Sequence, residues 1–179
     1  MTPFQVPTRD QVSPANQALF DQLQKGLGKV PNLYATLALS EHALASYLAL
    51  QQARSSLSAK AREVVNLVVS QVNHCEYCLA AHTVIGGMVG FQPGQLLEIR
   101  AGRASFDARL DALARLVHDI ATRRGQADPG LLQAFFDAGW TQENLVDTIV
   151  TIGDKIITNY LHATTQVPVD FPPAPPLND

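Results

Sequence analysis

The chain has 179 residues, of which 46% are hydrophobic and 16% charged, with a formal net charge of −3 and a pI near 5.9. This length predicts a single domain over residues 1–179 with an adequate core. The acidic balance argues against a nucleic-acid-binding surface. Polar residues interrupt every apolar stretch well before the roughly 20 residues of a membrane span. The surplus of apolar residues over charged ones favours a homo-oligomer that buries apolar surface between subunits.

The first residues, Met1 to Pro7, lack the basic start and apolar stretch of a secretory signal. We therefore expect a cytoplasmic protein in a reducing compartment. In such a compartment a cysteine pair serves catalysis or metal binding more often than structural cross-linking.

Apolar residues recur at helical spacing along most of the chain, and no segment alternates like a strand, so the sequence predicts an all-α fold. In chain order, we expect helices over residues 14–27, 31–39, 40–54, 58–72, 73–87, 93–101, 107–123, 128–139 and from 141 onward. The glycines Gly86 and Gly87 are the expected stop of the fifth helix. Five prolines after Val167 predict an extended Pro-rich arm over residues 167–179.

Two helices carry patterns that predict which side is buried. In the fourth, a β-branched run over residues 64–72 favours a strand, but Glu63, Asn66, Ser70 and Asn73 fall on one stripe of a helix. We interpret it as a buried helix with these four residues as a polar seam.

In the last helix we expect a buried apolar stripe. It consists of Leu145, Ile149, Ile152, Ile156 and Tyr160.

Both cysteines of the chain lie three residues apart, as Cys75 and Cys78, with His82 four residues further on. Positions three apart share a helix face with Cβ atoms about 5–6 Å apart, a separation close to what a disulfide tolerates. The pair is therefore suited to dithiol–disulfide exchange.

Asn73 and Glu76 resemble a capping box that would place both cysteines in the first turn of a helix. There the unpaired N–H groups and the helix dipole favour a thiolate. Cys75 is nearer the helix end and Cys78 is nearer His82, so the residues alone leave the nucleophile open.

A helical hairpin that reverses near Asn73 would bring Glu63 and His82 to similar heights, ten residues before and nine after the turn. The carboxylate would then hold one ring nitrogen of His82 and leave the other for a cysteine. We predict this contact between Glu63 and His82.

The spacing of these residues resembles the alkylhydroperoxidase D pattern of the carboxymuconolactone decarboxylase superfamily. The pattern consists of Glu63, eleven residues, Cys75-x-x-Cys78, three residues and His82. The resemblance is strongest over the motif core, residues 58–90. It implies an AhpD-like helical bundle in which a buried antiparallel helix pair carries the motif, assembled as trimers or hexamers.

The resemblance also implies a peroxidase. Cys78 would attack the peroxide and become a sulfenic acid, and Cys75 would condense with it to a disulfide. His82 and Glu63 would form the proton relay. A dithiol reductant, such as a lipoylated or thioredoxin-like protein, would restore the pair, with no cofactor or metal. Unlike the best-known members, which have histidine before the second cysteine, this chain has Tyr77.

Three alternatives accompany this interpretation. The two cysteines and His82 could ligate zinc, but three ligands within eight residues of one helix suit a closed tetrahedral site poorly. Lactone decarboxylation is the other activity of the superfamily, whose decarboxylases lack the cysteine pair. A redox sensor would use the disulfide as a switch without turnover.

Overall fold

The structure, a computed structural model, describes residues 4–177. Residues 1–3, part of the segment inspected for a signal, and residues 178–179, the end of the expected arm, lie outside the described residues. Residues 4–177 contain a short 3₁₀ turn, nine α-helices and no strand, so the all-α prediction is confirmed. The helices are α1 (Pro14–Leu27), α2 (Asn32–Leu37), α3 (Ala43–Gln52), α4 (Ala59–Val72), α5 (Glu76–Met88), α6 (Pro93–Arg100), α7 (Ala108–Thr122), α8 (Pro129–Asp137) and α9 (Gln142–Thr165).

The chain divides into two compact units, and the expectation of a single domain stays a prediction. The first unit comprises Met1–Arg54 and Tyr160–Asp170, and its core includes Phe20, Leu44 and Tyr47. The second unit comprises Ser55–Asn159 and Phe171–Asp179. It holds the larger core, to which α4, α7 and α8 contribute, and all the predicted site residues.

Helix α4 forms the centre of the second unit. The Ser58 side chain accepts a hydrogen bond from the backbone N–H of Ala61 at 3.2 Å and caps the helix, as the sequence predicts. The apolar side chains in the middle of this helix have no solvent-exposed surface; they are Ala61, Val64, Val65, Leu67, Val68 and Val69. Burial against neighbouring helices overrides the strand preference of this β-branched run, so the predicted buried helix is confirmed.

The turn from α4 to α5 is a Schellman motif built on a histidine. The backbone N–H of His74 bonds to the carbonyl of Gln71 at 3.1 Å, and that of Cys75 bonds to the carbonyl of Ser70 at 3.0 Å. His74 takes the left-handed conformation, with φ of 52°, at the position that helices usually give to glycine. This reversal places Cys75 directly in front of α5.

The start of α5 corrects the predicted capping box. The N-cap is Cys75, not Asn73, and the helix begins at Glu76. Asn73 still follows α4, and its side chain donates to Asn159 Oδ1 at 2.9 Å instead of capping α5. The left-handed residue between them separates Asn73 from the new helix.

The end of α5 corrects the predicted stop at Gly86 and Gly87. The helix runs to Met88 and ends before Gly90, whose φ is 96°. Gly86 serves packing instead, because a Cβ there would lie 2.5 Å from Leu96 Cδ2. The missing side chain thus allows α5 and α6 to approach closely.

Helix α9 buries a mainly polar face in the second unit and exposes an apolar one. In this unit, the side chains of α9 that are at most 7% exposed are Asn144, Thr148, Ile152, Lys155, Thr158 and Asn159, whereas the apolar ones that are 44–62% exposed are Val146, Ile149, Val150 and Ile157. The predicted apolar stripe is therefore wrong at Ile149 and at Tyr160, which is 60% exposed, and right at Ile152. Leu145 and Ile156 are partly buried against the core, as predicted.

The buried polar side chains of α9 account for this orientation because each has a partner. Asn144 donates to Ser56 Oγ at 2.8 Å, and Thr148 donates to the carbonyl of Asn144 at 2.8 Å. Burying polar groups costs little once they are hydrogen-bonded. Lys155 and Asn159 bind the site described below.

Residues 167–177 form neither helix nor strand, as the prolines predict. In the second unit the ring of Phe171 lies edge-on to that of Tyr77, with centroids 5.6 Å apart, and Arg100 donates to the carbonyl of Pro175. Across residues 4–177, no helix combines the length and the apolarity that spanning a bilayer demands.

The strained turn at His74 yields a stability prediction. Replacing His74 with glycine relieves the left-handed strain, and we expect the free energy of unfolding to rise by about 0.5–1 kcal/mol. His74→Ala keeps the Cβ and controls for loss of the imidazole. Urea denaturation under reducing conditions measures both variants, and equal stabilities for them would contradict the interpretation.

Candidate active site

The two cysteines lie in contact at the start of α5. Their Sγ atoms are 2.7 Å apart, and both are free thiols. The Sγ of Cys75 also accepts a hydrogen bond from the backbone N–H of Cys78 at 3.3 Å, which makes it the helix cap. Cys75 is 1% exposed and Cys78 is 3% exposed. The expected juxtaposition of the thiols is present, with Cys75 just outside the helix.

The contact between the sulfurs shifts the pKa values of the two cysteines in opposite directions. The thiol of Cys75 donates to the sulfur of Cys78, and this bond, together with burial, raises the pKa of Cys75 far above its usual range. The same bond lowers the pKa of Cys78 to about 6, although burial acts in the opposite direction. The charges of Lys155 and His82 lower it further. The geometry therefore favours Cys78 as the thiolate and Cys75 as the neutral thiol.

Glu63 and His82 meet across the α4–α5 hairpin, as the sequence predicts. The carboxylate Oε2 of Glu63 lies 2.7 Å from Nδ1 of His82, and its Oε1 accepts from Asn66 Nδ2 at 2.8 Å. Burial alone raises the pKa of Glu63, but His82, Asn66 and Lys155 outweigh it and lower the pKa below its usual value. The buried carboxylate is thus ionised and fixes the ring of His82.

The second ring nitrogen of His82 does not face a cysteine, which differs from the sequence expectation. Nε2 lies 2.7 Å from Nζ of Lys155, a residue of α9 that is 2% exposed. Sequence reasoning missed Lys155 because it is 73 residues from His82. One feature of the sequence indicates that Lys155 is buried: it lies close to Ile152 and Ile156, on the side of α9 expected to face inward.

Asn159, one turn after Lys155, connects the polar seam of α4 to the cysteines. Its Nδ2 lies 3.3 Å from Ser70 Oγ, and its Oδ1 accepts from Asn73. Hydrogen bonding by Asn159 lowers the pKa of each cysteine. The seam of Glu63, Asn66, Ser70 and Asn73 thus meets the polar face of α9 beside the thiols.

Tyr77 is 3% exposed. Its ring packs edge-on against Phe171, with the ring planes at 82°. The phenol ring is part of the apolar packing beside Cys78.

Two cavities, of about 260 and 420 Å³, lie in the first unit, and neither is lined by a cysteine. The apolar pocket expected beside Cys78 is not one of them. Within residues 4–177, no group of three or more His, Cys, Asp or Glu side chains is arranged to hold a metal ion.

Comparison with known proteins identifies a matching family. Residues 38–119, which include Glu63, both cysteines and His82 but not Lys155, match the model of the carboxymuconolactone decarboxylase family. No curated protein matches the chain significantly.

Solved structures match over nearly the whole chain. An uncharacterized peroxidase-related protein from Silicibacter sp. TM1040 superposes with a TM-score of 0.81 at 22% identity, covering 97% of this chain and 94% of the other. The alkylhydroperoxidase AhpD core of a peroxidase-related protein from Ralstonia eutropha JMP134 gives 0.83 at 19% identity, covering 93% and 91%. The debrominase Bmp8 gives 0.75 at 13% identity, covering 94% and 90%.

At these identities the solved structures show a shared fold, and the debrominase shows that this fold serves more than one reaction. The AhpD-like helical bundle expected from the motif is confirmed. The family match over residues 38–119 and these shared folds support the resemblance to AhpD-like proteins of the carboxymuconolactone decarboxylase superfamily that the motif indicates.

Proposed function

We propose that the protein is a cytoplasmic, cofactor-free thiol peroxidase that reduces hydrogen peroxide or small organic hydroperoxides. The observation that carries the proposal is the contact between a thiolate at Cys78, with its pKa lowered to about 6, and a neutral thiol at Cys75. A thiolate is the nucleophile that attacks peroxides, and an adjacent thiol is what resolves the product.

The reaction proceeds in two steps with balanced electrons. The Cys78 thiolate attacks the terminal oxygen of the hydroperoxide, so an S–O bond forms, the O–O bond breaks and an alkoxide leaves that takes up a proton. The sulfur is oxidised by two electrons to a sulfenic acid. Cys75 then attacks this sulfur, and a disulfide forms as water departs with the thiol proton.

A dithiol reductant closes the cycle by returning two electrons and two protons to the disulfide. We propose a lipoylated or thioredoxin-like protein for this role, since both present a dithiol. Glu63 and His82, predicted as a proton relay, contact each other at this site, and His82 also contacts Lys155.

Burial of the site supports a small substrate. The thiols are at most 3% exposed, which favours hydrogen peroxide and short alkyl hydroperoxides over bulky ones. The sulfurs are already in contact, so condensation needs little movement and competes well with further oxidation of the sulfenic acid.

A second candidate function is a redox sensor. The sulfur of Cys75 caps α5, so oxidation to a disulfide would change the group that holds the start of this helix. Such a switch would respond once to peroxide and would not need a recycling reductant.

We also propose that the chain assembles with further copies of itself, as a trimer or hexamer. The exposed apolar face of α9, formed by Val146, Ile149, Val150 and Ile157, has open space in front of Gly153. A second copy could bury this exposed apolar surface.

The peroxidase proposal predicts different outcomes for the two cysteines. With excess dithiol reductant, Cys78→Ser should reduce peroxide consumption to the uncatalysed rate. Cys75→Ser should accumulate a sulfenic acid on Cys78, detected as a dimedone adduct by mass spectrometry. Glu76→Gln, an exposed position in the same turn, is the control and should retain turnover. Wild-type activity in both cysteine variants would refute the mechanism, and a single oxidation without turnover would establish the sensor.

The assembly proposal predicts a change of mass in solution. Light scattering coupled to size exclusion should give a multiple of 19.4 kDa for the wild type and a smaller species for Val150→Glu. Leu27→Glu, at an exposed apolar position of α1, should leave the assembly intact. A wild-type mass of one chain would contradict the proposal.

A further inference from the structure

Lys155 is a buried cation whose role the family motif does not cover. Its Nζ lies 2.7 Å from Nε2 of His82, and it is 2% exposed. Within residues 4–177, His82 is the only hydrogen-bond partner of this Nζ. An ammonium group has three N–H donors, so two remain for other groups at the site.

The contact with Lys155 settles how the proton between the two nitrogens is shared. At 2.7 Å, one nitrogen donates a hydrogen bond and the other accepts it. The carboxylate of Glu63 can only accept, so the proton of its contact with His82 is on Nδ1. We therefore assign the Lys155 ammonium as the donor of the second contact and Nε2 of His82 as the acceptor.

This arrangement removes His82 as a base for the thiol. Its Nδ1 donates to Glu63, and its Nε2 accepts from Lys155, so both ring nitrogens are engaged. A general base needs a free lone pair within reach of the proton that it takes. Instead, the Glu63 carboxylate holds the ring, and the ring holds the ammonium of Lys155 in place.

We propose that Lys155, and not His82, stabilises the Cys78 thiolate and protonates the oxygen that leaves the peroxide. Glu63 and His82 are then positioning residues that hold the ammonium in place. The protonation step rests on the proposed peroxidase function, whereas the stabilisation of the thiolate does not depend on it.

The electrostatics of Cys78 support this assignment. Cys75, Lys155, His82 and Asn159 all act on its sulfur. After the hydrogen bond from Cys75, and against the burial that raises the pKa, the charge of Lys155 lowers the pKa of Cys78 more than that of His82 does. Among the charged groups at the site, Lys155 thus has the larger effect on the thiolate.

The proposed step conserves protons over the whole cycle. The alkoxide released when the O–O bond breaks takes a proton from the Lys155 ammonium and leaves as an alcohol, so Lys155 becomes a neutral amine. The thiol proton of Cys75 departs in water as the disulfide forms. Reduction of the disulfide by a dithiol brings two protons, one for Cys75 and one that returns to the amine of Lys155, which restores the Cys78 thiolate.

The first test measures the apparent pKa of Cys78 from the pH dependence of its alkylation, with mass spectrometry to assign the site. In Lys155→Met, loss of the positive charge should raise this pKa by at least about one unit. Lys155→Arg keeps the charge and should stay near wild type. Lys60→Met removes an exposed lysine that lies over Phe91 in the same unit, and it should leave the pKa unchanged.

The comparison with His82→Gln decides between the two residues. The ammonium remains in this variant, so the pKa of Cys78 should rise by less than in Lys155→Met. An unchanged pKa in Lys155→Met, or an equal or larger rise in His82→Gln, would overturn the proposal. If Lys155→Met does not fold, as judged by circular dichroism, Lys155→Gln replaces it under the same criteria.

The second test isolates the protonation step. At a pH where Cys78 is fully ionised in both proteins, sulfenic acid formation by hydrogen peroxide should be at least about tenfold slower in Lys155→Met, since a positioned acid contributes at least that much. Equal rates would overturn this step. A wild type without peroxide turnover would defeat the proposed function alone, because the alkylation result needs no peroxide.

Discussion

A buried chain of carboxylate, imidazole and ammonium holds the site together. Glu63 of α4, His82 of α5 and Lys155 of α9 are each at most 8% exposed and are joined by two contacts of 2.7 Å. Buried charges are tolerated only when they are paired and hydrogen-bonded. Removing one member of such a set leaves the other charges unpaired, which typically lowers the free energy of unfolding by about 3–5 kcal/mol. The same contacts therefore secure three helices and set the electrostatics of Cys78.

This chain of contacts also explains the unusual orientation of α9. Lys155 and Asn159 must point into the second unit to reach His82 and Ser70, so the polar face of the helix is inside. Its apolar side chains, such as Ile149 and Val150, then remain at the surface. Because the site needs the polar face of α9 inside, the apolar face of this helix is exposed and available for the proposed assembly with further copies of the chain.

Much of the site could be predicted from the sequence because its parts are local. The spacing of Glu63 and His82 about a hairpin turn predicts their contact, and the polar seam predicts that a β-branched run forms a buried helix. Lys155 could not be found in this way, since helical periodicity assigns an inward stripe to apolar residues and no local spacing connects α9 to His82. The start of α5 was misplaced because nothing marks His74 as a residue with positive φ.

The protonation of the His82 ring tests this account most directly. Nitrogen-15 NMR of the histidine-labelled reduced protein near neutral pH, with His82→Gln to assign the signal among five histidines, distinguishes the forms of the ring. The account predicts a neutral ring with a proton on Nδ1, donated to Glu63, and a bare Nε2 that accepts from Lys155. A proton on Nε2, alone or in a doubly protonated ring, would contradict it.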